Sequence, residues 1–201
     1  MNAHRVICPA LALCLMALAG CTEKLTDSNP CPNGWDNMGG FNITGYYAPT
    51  EEEFDGKSKK VKVNGVWRTI NADFLDAVSD HDGNGEGWGR TQEGDFIGYY
   101  DNHWSSSPHP LDEQGNELRI GTVAVDPAMI EPGSQVMILT LPETEFFDPD
   151  TVFSATDTGT QIRDKHIDIY TGVGPEAREA MFTITSLENA AEVCILGPSD
   201  Q

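Results

Sequence analysis

The sequence predicts a mainly β protein: a small closed barrel with hairpin and loop insertions and one or two short helices. Many short segments rich in β-branched and aromatic residues follow one another, separated by turn residues. Few segments carry helix-start signals, and long glycine- and aspartate-rich stretches lie between the strands. Many short strands with few helices are typical of small closed barrels.

The first twenty residues predict a secretion signal. Arg5 supplies a positive charge, and the apolar residues 6–19 lead to Ala19-Gly20-Cys21. Such a stretch is short for crossing a bilayer and typical of a signal peptide. The small residues before Cys21 match the bacterial lipoprotein box, in which the cysteine is acylated. An ordinary signal with a chance cysteine is the alternative.

Acylation of Cys21 predicts a protein anchored to a membrane by its lipid alone. Thr22, and not an aspartate, follows the cysteine, which favours the periplasmic face of the outer membrane. Besides the two cysteines of the signal, Cys31 and Cys194 remain, and an oxidising compartment favours a disulfide between them. Two buried free thiols are the alternative.

The formal net charge of −20 excludes nucleic acid as a partner. Binding to nucleic acid depends on neutralising phosphates, which this surface repels. The same net charge gives no attraction to anionic lipid or to the carboxylates of the cell wall. Recognition of a wall polymer would therefore depend on a local site, and no cofactor is expected.

We divide the chain into a signal peptide at 1–20, a flexible tether at 21–40 and one folded domain at 41–201. Asn64-Gly65 is the strongest hairpin signal, because both residues tolerate positive φ. Asn71 predicts the N-cap of a short helix over 72–78, and residues 102–116 are expected to be irregular. A second helix is expected from Gly174-Pro175 to about residue 181. The predicted strands are 41–48, 60–63, 66–70, 96–100, 118–125, 135–141, 152–156, 166–170 and 191–196.

Three aspartates are the candidate chemical groups. Asp126 ends a predicted strand, Asp157 stands at a turn, and Asp168 lies between two β-branched residues within a strand. A carboxyl pressed into an apolar wall has a raised pKa, and a second nearby carboxylate raises it further. Such a group donates a proton near neutral pH. The alternative is that Asp168 faces solvent and that Asp126 and Asp157 cap turns.

The surroundings of these aspartates resemble a known domain. The matching stretches are Val123-Ala124-Val125-Asp126-Pro127, Ile130-Glu131-Pro132-Gly133-Ser134, Ala155-Thr156-Asp157-Thr158-Gly159, and Ile162 followed by Ile167-Asp168-Ile169-Tyr170. In this order they resemble the three-aspartate (3D) domain of cell-wall lytic enzymes. Upstream, Thr44-Gly45-Tyr46-Tyr47 is similar to a segment beside the sugar cleft in the membrane-bound lytic transglycosylase A family.

The resemblance implies a six-stranded double-psi β-barrel that binds and cuts peptidoglycan glycan strands. Asp168 would be the general acid and base of a lytic transglycosylase, which forms 1,6-anhydro-N-acetylmuramic acid ends. Asp157 would hold or tune Asp168, and Asp126 would shape the barrel floor. The substrate-binding residues it implies are Thr44, Tyr46, Tyr47, Thr158 and Gly159.

Two positions depart from the family pattern, and both lie in the loop between Asp157 and Asp168. Thr160 and Asp164 stand where the family has glycine. The chain also looks too short for a second domain, so the sequence predicts a stand-alone barrel. A non-catalytic wall-binding barrel, or a hydrolytic muramidase with Asp157 as base for water, remain as alternatives.

Metal sites and aromatic platforms are weaker candidates. Residues 80–91 begin like a calcium loop, but Thr91 stands where a bidentate glutamate is needed. The loop histidines have no ligand-like spacing, so no metal is expected. Five aromatic residues are candidates either to stack on sugars or to pack in the fold. They are Trp67, Trp88, Tyr99, Tyr100 and Trp104.

Overall fold

A computed structural model describes residues 29–79, 85–185 and 191–198. Within these ranges the protein is mainly β with two α-helices, as predicted. The elements in chain order are β1 (Asp36–Ala48), a 3₁₀ turn (Glu51–Glu53), β2 (Ser58–Val63), β3 (Val66–Asn71), α1 (Ala72–Val78), β4 (Trp88–Arg90), β5 (Phe96–Tyr100), β6 (His103–Ser107), β7 (Thr122–Val125), β8 (Gln135–Ile138), β9 (Val152–Asp157), β10 (His166–Val173), α2 (Pro175–Thr185) and β11 (Ala191–Leu196).

Six strands pair in a closed order, β1-β10-β7-β9-β8-β11, and β11 pairs again with β1. The β1–β10 and β7–β9 pairs are parallel, and the other four are antiparallel. Alternate residues point into one apolar core, where Val123, Phe153, Ile167 and Ile169 have no exposed surface. We call this part the closed sheet. Its assignment to the double-psi class stays a prediction.

A second, open sheet has the order β3-β2-β6-β5-β4. Its core is separate, because Val63 and Ile70 pack there with Phe74 and Leu75 of α1. The prediction of a stand-alone barrel is therefore wrong. Local sequence signals missed this sheet because β6 has few β-favouring residues and forms by pairing in register with β5.

An apolar cluster joins the two sheets. Ala48 of β1 and Tyr170 of β10 pack there with Trp88 and Phe96 of the open sheet, and with Leu118. All five residues are at most 8% exposed. The cluster therefore fixes the open sheet beside strands β1 and β10, where the site residues lie.

The local signals in the sequence are found in the structure. Asn64 and Gly65 have φ of 46° and 83° at the β2–β3 turn. The Asn71 side chain accepts hydrogen bonds from the N–H groups of Asp73 and Phe74, which makes it the N-cap of α1. Helix α2 begins at Pro175 as expected and runs on to Thr185.

The amino-terminal part of the described chain is tied to the closed sheet. A disulfide joins Cys31 to Cys194, with 5.6 Å between the Cα atoms, and β1 begins at Asp36, inside the segment predicted as tether. Residues 1–28, including Cys21, lie outside the described residues. No helix among the described residues is long and apolar enough to cross a membrane.

Candidate active site

Parallel pairing of β1 with β10 brings the upstream segment to the third aspartate. Thr44 is directly opposite Asp168, and Tyr46 is opposite Tyr170. Strand alternation turns these side chains away from the closed-sheet core, because Ile167 and Ile169 occupy it. Gly45 faces α2, where a Cβ atom would lie 3.1 Å from the Met181 Cα.

Asp168 is half-buried on the outer face of the closed sheet, beside the open sheet. The hypothesis that it points into the apolar core is wrong, since its two neighbours in the strand do so. Burial, with a contribution from the charge of Asp157, nevertheless raises the pKa of Asp168 to about 6. The hydrogen bond from the Thr44 hydroxyl, 2.7 Å to Oδ1, acts in the opposite direction.

His166 completes a relay of polar groups that the sequence did not reveal. Its Nε2 atom lies 2.8 Å from the Thr44 Oγ1. The hydroxyl of Thr44 therefore lies between the Asp168 carboxyl and the imidazole, and the tautomer of His166 sets the direction of the contact with Nε2. Burial lowers the pKa of His166, and a hydrogen bond to the backbone of Gln161 acts in the opposite direction. The order His166–Thr44–Asp168 therefore fixes the orientation of the Asp168 carboxyl.

Asp157 and Asp168 lie on either side of one small residue, Ala124. Ala124 of β7 is in register with Asp168 on β10 and with Asp157 on β9. Ala124 therefore lies between the two carboxyls, which are two strands apart. The Tyr46 hydroxyl donates to Asp157 Oδ2 at 2.5 Å, and the Glu113 N–H donates to Oδ1 at 3.0 Å. Burial raises the pKa of Asp157, although these donors lower it.

Asp126 is not part of this carboxyl pair. Its side chain accepts hydrogen bonds from the N–H groups of Ala128, at 2.9 Å, and Asp164, at 2.8 Å. These two donors lower the pKa of Asp126. Among the described contacts, none joins it to Asp157 or Asp168. Its hydrogen bond from the Asp164 N–H holds the loop between those two residues, and a part of Asp126 in catalysis stays a prediction.

Asp164 occupies the position in that loop where the resemblance leads us to expect glycine. Its φ of 55° lies in the left-handed region. We expect Asp164→Gly to keep the melting temperature within a few degrees, and Asp164→Val to cost about 1 kcal/mol, because β-branched residues disfavour this conformation. Thermal unfolding checks both, with Gln161→Val as the control in the same loop. Equal stability of the two valine variants would contradict the expectation.

Three further residues were predicted to bind the substrate, and their surroundings differ. They are Tyr47, Thr158 and Gly159. Tyr47 is only 6% exposed, and its part in substrate binding stays a prediction. The Thr158 N–H donates to Asp157, and Thr158 therefore lies at the carboxyl pair. A Cβ atom at Gly159 would lie 2.8 Å from Ile162 Cγ1, so glycine is needed there for packing.

Glu86 is a third carboxyl at the site, and the sequence analysis missed it. It precedes β4 in the open sheet, and its Oε2 accepts the N–H of Tyr47 on β1 at 3.2 Å. Burial raises the pKa of Glu86 to about 7, and the charge of Asp168 contributes to the increase. Nothing in its glycine-rich surroundings marks Glu86 as different from neighbouring acids; only the packing of the two sheets does.

These raised pKa values predict that stability falls as pH rises. The folded protein holds its protons on Asp168 and Glu86 to higher pH than the unfolded chain, so stability decreases between about pH 4 and pH 7. We expect Glu86→Gln to be more stable than the native chain at pH 8 and to lose this advantage at pH 4. Thermal unfolding across this range is the measurement, with the exposed Glu145→Gln as control. An equal effect of Glu86→Gln on the stability at pH 4 and at pH 8 would contradict the assignment.

One aromatic side chain of the open sheet faces the carboxyl pair. Tyr100 is 44% exposed, and its ring lies 5.7 Å from that of Trp88. Burial raises the pKa of Tyr100, with further contributions from the charges of Asp157 and Glu113. A partly exposed ring beside two carboxyls is suited to stacking on a sugar.

No group of three or more metal-ligating side chains occurs among the described residues. His103 and His109 lie in different surroundings, and His109 Nδ1 is 3.5 Å from Glu117. Residues 80–84, which begin the calcium-like loop, lie outside the described residues. What the described residues bring together is a pair of carboxyls, Asp168 and Asp157, whose pKa values are both raised.

Comparisons with known proteins agree with the sequence motifs. Residues 121–185 match the model of the 3D domain family. The fold is similar to that of Escherichia coli MltA crystallised with bound chitohexaose, at a TM-score of 0.53 and 14% identity over 81% of this chain and 75% of that one. MltA from Neisseria gonorrhoeae also matches, at a TM-score of 0.49 and 14% identity over 79% and 73% of the two chains. No curated protein sequence matches.

The region matched by the family model contains all three aspartates, and the open sheet lies outside it. The likeness to E. coli MltA extends over both sheets, since it covers 81% of the chain. The chain therefore carries a 3D domain at residues 121–185, within a fold similar to that of MltA.

Proposed function

We propose that this protein is a peptidoglycan lytic transglycosylase with Asp168 as general acid and base. The observation that carries the proposal is the placement of Asp168 on the outer face of β10, with a pKa raised to about 6. A solved protein of similar fold binds a chain of sugars, as its complex with chitohexaose shows. The residues around Asp168 support the same class of substrate.

In the proposed reaction, protonated Asp168 gives its proton to the oxygen between N-acetylmuramic acid and N-acetylglucosamine, and that bond breaks. The resulting carboxylate takes the proton of the muramyl 6-hydroxyl, whose oxygen bonds to C1 and closes the 1,6-anhydro ring. The proton balance returns Asp168 to its starting state. No water is consumed, so no second carboxylate is required as a base.

Asp157 fits a supporting role better than that of a base for water. Its carboxylate accepts hydrogen bonds from Tyr46, from Glu113 and from the Thr158 N–H. These three donors occupy most of the roughly four lone-pair sites of the carboxylate, so Asp157 is poorly suited to take a proton from water. Its negative charge favours the protonated form of Asp168, which the first step needs.

Substrate contacts in this proposal come from both sheets. Thr44 and Tyr46 lie beside the two carboxyls, and Tyr100 supplies an aromatic surface from the open sheet. Thr158 would contact the sugar from the end of β9. With the predicted lipid at Cys21, the enzyme would act from the periplasmic face of the outer membrane.

Mass spectrometry of muropeptides released from purified sacculi tests the proposal. The chain from Thr22 onward contains every described element and is the form to use. We expect products that end in anhydro-muramic acid, each one water lighter than the reducing sugar. Reducing products would indicate a hydrolase, and binding to sacculi without any product would indicate a non-catalytic wall-binding protein; either result overturns the proposal.

A further inference from the structure

The tip of the β2–β3 hairpin exposes two apolar side chains. Val66 is 65% exposed and Trp67 is 68% exposed, directly after the Asn64-Gly65 turn. Strand β3 is an edge of the open sheet, so no strand covers that side. Successive strand residues point to opposite faces, so apolar surface is exposed on both faces of the tip. Large apolar groups exposed at one tip indicate a contact surface.

The same hairpin carries a concentration of positive charge. The chain has 12 basic and 32 acidic residues, yet residues 57–70 contain four lysines, one arginine and no acid. Arg68 is already paired with Glu93 and Asp95. Among the described residues, no ion pair involves the lysines of the hairpin, so their charge is available to a partner.

The basic and apolar groups are arranged in layers. Lys62 is in register with Trp67, and Lys60 lies one step further from the tip, opposite Thr69. Two residues of strand span about 7 Å, so Lys62 lies level with Trp67 and Lys60 lies about 7 Å further from the tip. We call Lys59, Lys60 and Lys62 the basic collar. The neighbouring strand β6 adds no acid near the turn, since Asn64 contacts Trp104 and Ser106 there.

We propose that the hairpin tip docks on an anionic lipid surface, with Val66 and Trp67 in the headgroup layer and the basic collar at the level of the phosphates. Tryptophan favours this interface, and each lysine near an anionic surface adds attraction. The proposal does not depend on the reaction proposed above. It adds a membrane contact to the predicted N-terminal lipid.

The net negative charge of the protein does not prevent this contact. Charges beyond about 8–10 Å are largely screened at physiological salt, so the surface responds to the nearby lysines. A lipid surface fits better than a glycan, because the tip is convex. A convex tip enters a headgroup layer but cannot enclose a sugar ring, which binding sites normally do.

Vesicle binding by the chain from Thr22 onward tests the proposal. We expect binding to vesicles of phosphatidylglycerol and phosphatidylcholine, a shift of tryptophan emission to shorter wavelength, and little binding to phosphatidylcholine alone. Reversing the basic collar with K59E, K60E and K62E should weaken binding about a hundredfold. The K59R, K60R, K62R variant keeps the charge and should bind as the native chain does.

The apolar tip has its own control. Trp67→Ser should weaken vesicle binding and remove the emission shift. Phe182→Ser, which removes another exposed aromatic ring on α2, should do neither. Unchanged binding by the charge-reversed variant, or equal binding to neutral vesicles, would overturn the proposal. If the same variants no longer bind sacculi but still bind vesicles, the hairpin contacts the wall and the proposal is overturned.

Discussion

The Asp168→Asn variant is expected to release about a thousandfold fewer anhydro-muropeptides than the native chain, since it cannot donate or accept the reaction proton. The asparagine amide keeps the shape of the side chain and can still accept the hydrogen bond from Thr44. Removing an ionisable group whose pKa is raised to about 6 should also make the variant more stable than the native chain at pH 8. Lost activity with retained or increased stability identifies a chemical role.

The measurement combines muropeptide mass spectrometry with thermal unfolding of the same preparations. Asp36→Asn is the matched control, since it makes the same change at an exposed position on β1. Its activity should equal that of the native chain. Normal release of anhydro-muropeptides by Asp168→Asn would refute the assignment of the catalyst. Loss of both activity and melting transition would show that Asp168 is needed for folding.

Loss of the disulfide is expected to produce the largest effect on stability. Cys31 and Cys194 are 163 residues apart, so their bond restricts the unfolded chain over almost the whole described fold. Closing a loop of that length stabilises a protein by about 5 kcal/mol. The bond also attaches the segment before β1 to the final strand. We expect the Cys31→Ala, Cys194→Ala variant to lose this amount, with little change in the site.

Denaturant unfolding of the double variant measures the effect, with the reduced native chain as an independent comparison. Both should show a lower midpoint than the oxidised native chain, and activity at low temperature should remain. The site residues are joined by contacts of their own, such as Thr44 to Asp168 and Tyr46 to Asp157. Equal midpoints for oxidised and reduced chains would contradict the role of the bond.

Local physical chemistry explains which features were predictable. The Asn64-Gly65 turn and the Asn71 cap depend on residues within four positions of one another, so their signals are complete in a short segment. The pairing of Cys31 with Cys194 was predictable because an oxidising compartment favours disulfides and only these two cysteines follow the lipoprotein signal. The family resemblance pointed to Thr44 as a sugar-binding residue, but its pairing with Asp168, 124 residues away, is seen only in the structure.

The sequence by itself determined the mainly β class, the hairpin, both helix starts, the disulfide pair and Asp168 as the leading candidate. Only the tertiary structure showed the open sheet, His166 and Glu86 at the site, and the separation of Asp126 from the other two aspartates. The reason is that turns and caps are local, whereas the surroundings of a carboxyl are set by strands distant in sequence. Asp168 owes its raised pKa to burial and to Asp157 across Ala124, and a single sequence does not contain that arrangement in any local pattern.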